Sequence, residues 1–339
     1  MIKISIKDAQ IGMVAAEPIK TPLGQILALP GTPLTRQLIN KMKLYKVGSI
    51  SIQNPFDAAA PQAGENTAKR DKVKPVPKTR AHEMVTNIQR VQASEEFLGF
   101  QLKYLTCINQ IKDTFGKICA GEKSFDEAAL LTAVIDLSSS CGTTIETFDM
   151  LYNMRTIADP LYSHCLNVGL ITRMIGRWLH MEKTDVNTLT IAGVLHDIGK
   201  CKIPDDVLNK PDKLTDEEFA IMRTHAEKGG EIIKETFGHI GDGEYEKMAY
   251  EVARYHHEKW NGKGYPQGLT GEDIPLCARI MSVADVFDAV SAKRCYRDAM
   301  PLEQCFEIIE KGSGQDFDPD IAEVFLDMRE RIGQVVGAI

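Results

Sequence analysis

The segment Gly193-Val194-Leu195-His196-Asp197-Ile198-Gly199-Lys200 constrains this chain more than any other. Ile191, Val194, Leu195 and Ile198 recur at helical spacing, so the pattern predicts a buried helix carrying a histidine, an aspartate and a lysine inward. Buried charge is costly unless a metal, an ion pair or a bound ligand compensates it. A neutral imidazole beside a carboxylate offers nitrogen and oxygen donors to a first-row divalent metal. Lys200, one turn after His196 on the same face, is placed to meet an anion. Taken alone, a His-Asp dipeptide favours a core hydrogen bond with a snorkelling lysine. A metal reading therefore requires further ligands elsewhere.

The rest of the chain supplies them. His164 lies among Leu161, Leu166, Val168, Leu170 and Ile171 in a helix predicted over about 160–178. Thr215 and Glu218 have capping-box spacing, opening a helix that carries His225 near its far end. A further helix, from about Tyr245, ends in His256-His257-Glu258-Lys259-Trp260. Asp285 and Asp288 sit one turn apart in the apolar segment 280–290. Five of the eight histidines, with Asp197 and Asp285, thus fall in apolar helices or at their ends. Seven such residues exceed what one metal takes, and the count points to two metals bridged by a carboxylate. His82, His180 and His239 fall outside the pattern.

Residues 1–54 alternate as short strands around Ile2/Ile4/Ile6, Ile26-Leu27-Ala28-Leu29 and Ile50-Ser51-Ile52, broken by glycine and proline. Thr35 can cap a helix from Arg36 to about Lys46. This small β-rich module has no cluster of His, Cys or acid; it reads equally as regulatory, docking or purely structural. Residues 55–80, rich in Pro, Ala and Lys/Arg, cannot bury a core and read as a flexible linker. From 81 to 154 the pattern is helical, with a long helix over about 81–118. Helices follow over about 125–139, with Ser124 as N-cap, and 143–155. This stretch suits either homodimerisation or intramolecular packing. Residues 155–339 carry the ligand pattern.

A length of 339 residues accommodates such a division. The net charge of −7 argues against a surface for long nucleic acid, confining phosphate recognition to a pocket. No apolar run reaches membrane-span length and the first residues lack a signal-peptide core, so no membrane insertion and a cytoplasmic location are expected. Eight cysteines without C-x-x-C spacing imply reduced thiols.

In order and spacing, His196-Asp197-x-x-Lys200, His225, His256-His257-Glu258, Gly264-Tyr265-Pro266, Asp285 and Arg294-x-x-Arg297 resemble the HD-GYP family of cyclic di-GMP phosphodiesterases. That family is a branch of the HD-domain metal-dependent phosphohydrolases, and the resemblance covers about residues 155–330. It implies a mainly α protein: an all-helical HD-type metal-binding domain preceded by the small β-rich module. It also implies that His164, His196, Asp197 and Asp285 hold one metal, and that Asp197 bridges to a second held by His225, His256 and His257. Some family members hold a third metal through a glutamate one turn before the first histidine. Pro160 stands there and cannot ligate, so two metals are expected, iron or manganese by the nitrogen-rich donor set.

The implied reaction is attack of a metal-bridging hydroxide on a cyclic di-GMP phosphorus, giving linear pGpG, with or without onward hydrolysis to GMP. Asp197 and Lys200 would be catalytic, Lys200 neutralising developing charge. Arg294 and Arg297 would grip phosphate. Tyr265, with Gly264 and Pro266 in its loop, would meet substrate or a diguanylate cyclase partner; Asp288 would support a ligand rather than bind metal. Trp260 suits packing or guanine stacking. The competing readings are a phosphodiesterase for 3′,3′-cyclic GMP-AMP or another nucleotide, and a non-catalytic dinucleotide sensor or cyclase-docking protein.

Overall fold

The computed structural model describes residues 2–20, 26–35, 38–39, 42–43, 46–52, 94–122, 126–154, 160–237, 244–291 and 300–336. Its contacts divide the chain into two units, Met1–Glu83 and Met84–Ile339. The predicted linker 55–80 and His82 lie outside the described residues.

In the first unit β1 (Ile2–Ser5) pairs antiparallel with β4 (Ser49–Ile52), setting Ile2 opposite Ile52 and Ile4 opposite Ile50. A second ribbon joins β2 (Ile19–Lys20), which the alternation did not reveal, to β3 (Ile26–Ala28). Ala15, Ile19, Leu34, Met42, Ile50 and Ile52 form the core. The first strand stops before Ile6, because the Ser5 hydroxyl accepts the Lys7 N–H and opens a 3-10 turn over Ile6–Asp8. Residues 38, 39, 42 and 43 are helical, and Thr35 Oγ1 accepts the Leu38 N–H at 3.1 Å as the capping pattern requires.

The second unit is helical: α1 (Glu95–Cys119), α2 (Glu127–Ser139), α3 (Thr144–Met154), α4 (Pro160–Trp178), α5 (Lys183–Leu195), α6 (Asp205–Leu208), α7 (Asp216–Phe237), α8 (Glu244–Tyr255), α9 (Leu276–Ser291), α10 (Leu302–Gly312), α11 (Pro319–Leu326) and α12 (Arg329–Val336). Ser94 caps α1 by accepting the Phe97 N–H at 3.1 Å. Asp126 caps α2, accepting the Ala129 N–H at 2.8 Å; the predicted cap, Ser124, lies outside the described residues. α4 ends at Trp178; His180, two residues on, adopts φ 54°, and the Met181 N–H closes onto the Gly176 carbonyl at 3.0 Å. His180 thus terminates a helix far from the ligand pattern. Among the described residues no single helix is long and apolar enough to cross a membrane.

The nearly wholly buried α9 is the spine of this unit. Phe287 lies 4.8 Å from Phe325, 5.4 Å from Phe306 and 5.7 Å from Phe148, tying α9 to α11, α10 and α3. α4 and α5 cross at two glycines: a Cβ on Gly193 would lie 2.9 Å from the Gly169 Cα. Any side chain there would push the helices apart, so this contact fixes how His164 on α4 meets the C-terminus of α5.

Candidate metal centre

α5 stops at Leu195, with His196 as its cap, and the chain passes through Asp197 into a 3-10 turn over Ile198–Lys202. This corrects the single continuous helix expected here. The turn packs so closely on α7 that a Cβ on Gly199 would collide with the His225 carbonyl. Lys200 therefore faces Asp197, with Nζ 2.5 Å from Oδ2, rather than following His196 along one helical face. The capping box at Thr215 and Glu218 forms in both directions, at 2.7 and 3.3 Å. His225, however, stands in the middle of α7, because the helix runs on to Phe237. His256 and His257 follow the last residue of α8, and Asp285 and Asp288 lie one turn apart in α9.

The structure brings all seven predicted ligands together as two donor groups. In one, the ligating atoms of His164, His196 and Asp285 lie within 4.8 Å of one another; in the other, those of His225, His256 and His257 do. Asp197 joins them. Its Oδ2 lies 3.3 Å from His196 Nε2 and 3.8 Å from His164 Nε2, while its Oδ1 lies 3.4 Å from His225 Nε2 and 4.0 Å from His256 Nε2. One carboxylate thus turns one oxygen to each group.

The histidines are aimed from behind. His196 Nδ1 meets the Gly193 carbonyl at 2.7 Å, His225 Nδ1 that of Met222 at 2.7 Å, and His256 Nδ1 that of Val252 at 3.0 Å. A nitrogen facing a carbonyl must donate, so Nδ1 carries the proton and Nε2 presents a lone pair to the centre. His225 and His256 consequently bring two such nitrogens to 3.3 Å, and His196 Nε2 is buried without a hydrogen-bond partner. Facing lone pairs and an orphaned buried acceptor are unfavourable without a cation, so these residues fit a bound metal.

Electrostatics separates the two groups. Burial opposes charge on Asp197, but the Lys200 ammonium outweighs it and holds the carboxyl well below the usual carboxylate range. Burial likewise opposes charge on Asp285, where the His164 hydrogen bond prevails and keeps it ionised. On His164 burial is overcome by Asp285 at 3.0 Å and Asp288 at 2.7 Å, which lift the imidazole to about 9. In the other group burial dominates: it pushes His257 down to about 3, His256 well below its ordinary value, and His225 down.

Several contributors escaped the sequence reading. Tyr104 on α1 donates to Asn167 Oδ1 at 2.9 Å, Asn167 donates to Asp288 Oδ1 at 3.0 Å, and Asp288 Oδ2 receives His164 Nδ1. Buried Glu258 accepts the N–H groups of Gln267, Gly268 and Leu269 at 2.7–3.1 Å, anchoring the loop that holds Gly264, Tyr265 and Pro266. Its position directly after the histidine pair, as a charge in a segment headed for the core, was the available signal. Buried Cys165 groups with His196 and Asp197. The Tyr265 ring lies 4.7 Å from that of His257. Trp260 has the Arg279 guanidinium 5.9 Å from its ring. Arg294, Arg297 and His239 lie outside the described residues.

The HD domain family matches residues 146–321, more than half of the chain. A cyclic di-GMP phosphodiesterase of Vibrio cholerae serotype O1 is 47% identical over 137 residues, 40% of this chain and 28% of that protein. The 3′3′-cGAMP-specific phosphodiesterase 2 of the same organism is 34% identical over 201 residues, 55% of this chain and 38% of that protein. This chain thus spans less than half the length of either relative. Among solved structures, Bd1817, an HDG"Y"P protein from Bdellovibrio bacteriovorus, has a TM-score of 0.52 at 13% identity, covering 97% of this chain and 99% of that one. At that identity the likeness concerns the fold alone. The matched segment contains every residue of both donor groups, and the chain belongs to the HD-domain family.

Proposed function

We propose that this chain is a divalent-metal-dependent phosphodiesterase that opens cyclic di-GMP to linear pGpG. The observation that carries the proposal is Asp197, one oxygen toward His164 and His196 and the other toward His225 and His256. A pair of divalent ions, iron or manganese by the donor set, supplies when bound an activated water near neutral pH and Lewis acidity at phosphorus. The proposed ligands are His164, His196 and Asp285 on one side and His225, His256 and His257 on the other, shared through Asp197; Pro160 leaves two ions rather than three.

Lys200 steadies the charge of Asp197 and stands beside the position where phosphoryl oxygens gain charge. Asp288 holds the Nδ1 proton of His164 so that Nε2 stays directed at the centre. Glu258 fixes the loop presenting Tyr265 to the substrate, and Arg294 and Arg297 take phosphate. Cyclic di-GMP is preferred because a relative named for it is 47% identical over 137 residues, whereas relatives named for 3′3′-cGAMP are 34% identical over 201 residues and 36% over 157. We further infer a cytoplasmic protein with a diguanylate cyclase as partner for the Tyr265 loop; one face of α1, including Phe100, Tyr104 and Ile111, is buried, as intramolecular packing of the helical segment 81–154 requires.

Anaerobic reconstitution with iron or manganese, followed by chromatography of products from cyclic di-GMP and 3′,3′-cyclic GMP-AMP, tests the proposal. Metal-dependent pGpG from the first is the expected result. Faster turnover of the second would move the substrate, and product from neither with both metals bound would defeat the activity.

A further inference from the structure

Arg223 stands on the exposed side of α7, two residues before His225. Its guanidinium carbon lies 4.4 Å from the centre of the Tyr265 ring. That ring is 4.7 Å from the His257 ring and 6.5 Å from the His225 ring, so the cation is held at the rim of the all-histidine group. Among the described residues Arg223 makes no ion pair: nearby Glu227 pairs with Arg254 at 3.1 Å and Glu218 with Lys210 at 2.6 Å. Lys200, another cation at the centre, is committed to Asp197.

A cyclic dinucleotide carries two phosphodiesters. Cleavage of one leaves the other charged and in need of its own partner outside the metal centre. We propose that Arg223 binds the phosphate that is not being cleaved. The aromatic ring holds the guanidinium through a cation–π contact, leaving its N–H edge free for a fork onto two phosphate oxygens. Such a contact selects cyclic dinucleotides over single phosphodiesters. This inference rests on the proposed substrate class.

The test compares manganese-loaded wild-type protein, R223A and R223K on cyclic di-GMP and on bis(p-nitrophenyl) phosphate, which has one phosphate only. R223A raises KM for cyclic di-GMP about ten- to a hundredfold at nearly constant kcat, the scale of one charge-assisted contact. Its loss on bis(p-nitrophenyl) phosphate is a small fraction of that. R223K, with charge but no fork, falls between. An unchanged KM for cyclic di-GMP in R223A, or equal losses on both substrates, overturns the inference and leaves Arg223 as a loop anchor. Wild-type protein that cleaves bis(p-nitrophenyl) phosphate but neither binds nor cleaves cyclic di-GMP overturns the substrate reading itself, and this inference with it.

Discussion

The two halves of the candidate centre hold similar numbers of donors in opposite electrostatic states. The half built by His164, His196 and Asp285 contains ionised carboxylate and a histidine lifted to about 9 between Asp285 and Asp288. The half built by His225, His256 and His257 contains imidazoles that burial keeps neutral. The first half is organised by charge, by the Gly193 carbonyl behind His196 and by a hydrogen-bond relay reaching back to Tyr104; the second has backbone carbonyls behind His225 and His256 and no carboxylate relay among the described residues. Beyond the shared Asp197, one group adds a carboxylate and the other only imidazoles, so under the proposed two-ion scheme the two positions differ in softness and charge. Asp197 is the element common to both, and the comparison can be broken there first.

Asp197→Ala removes the shared carboxylate. We expect both ions to be lost and turnover to fall by at least about 10²–10³-fold, the scale reached when one electrostatic group of an active site is removed. Metal analysis of the folded variant, checked by circular dichroism, provides the measurement; full metal content with unaltered turnover would end the shared-carboxylate scheme. His257→Ala cuts only the imidazole half, and metal content should drop from about two ions per chain to about one. Loss of both ions in that variant would show that the halves do not bind separately.

Asp288→Asn sharpens the contrast further. It weakens the orientation of His164 alone, so competition with a chelator should reveal an ion held about 10–100-fold less tightly, the other being unaffected. Equal weakening of both ions would remove the distinction. Tyr104→Phe should have the smallest effect. It deletes one buried hydroxyl contact to Asn167, so urea unfolding should register a loss of about 1 kcal/mol. Metal affinity in the acidic half should then fall less than it does for Asp288→Asn.

The helices bearing the ligands were legible because burial writes a local pattern. Apolar residues recur every three or four positions around His164 and around Asp285, and polar residues interrupt those stripes only where something compensates them. The limits of α4 and the capping box of α7 are likewise local chemistry among residues three or four apart. The loop anchored by Glu258 was harder to read, because its three donors lie nine to eleven residues away and are backbone groups common to every residue.

The sequence by itself determined which side chains are driven inward and on which helices, since periodicity and capping act within a turn or two of chain. Only the tertiary structure decided how they converge. Whether α5 continues past Leu195 or breaks into a 3-10 turn depends on Gly199 meeting α7, and the approach of His164 to His196 depends on Gly169 meeting Gly193. Which oxygen of Asp197 faces which histidines follows from those crossings. A helix's own hydrogen bonds reach four residues, whereas the contacts that aim Asp197 and His164 come from segments tens of residues away, whose placement no local pattern encodes.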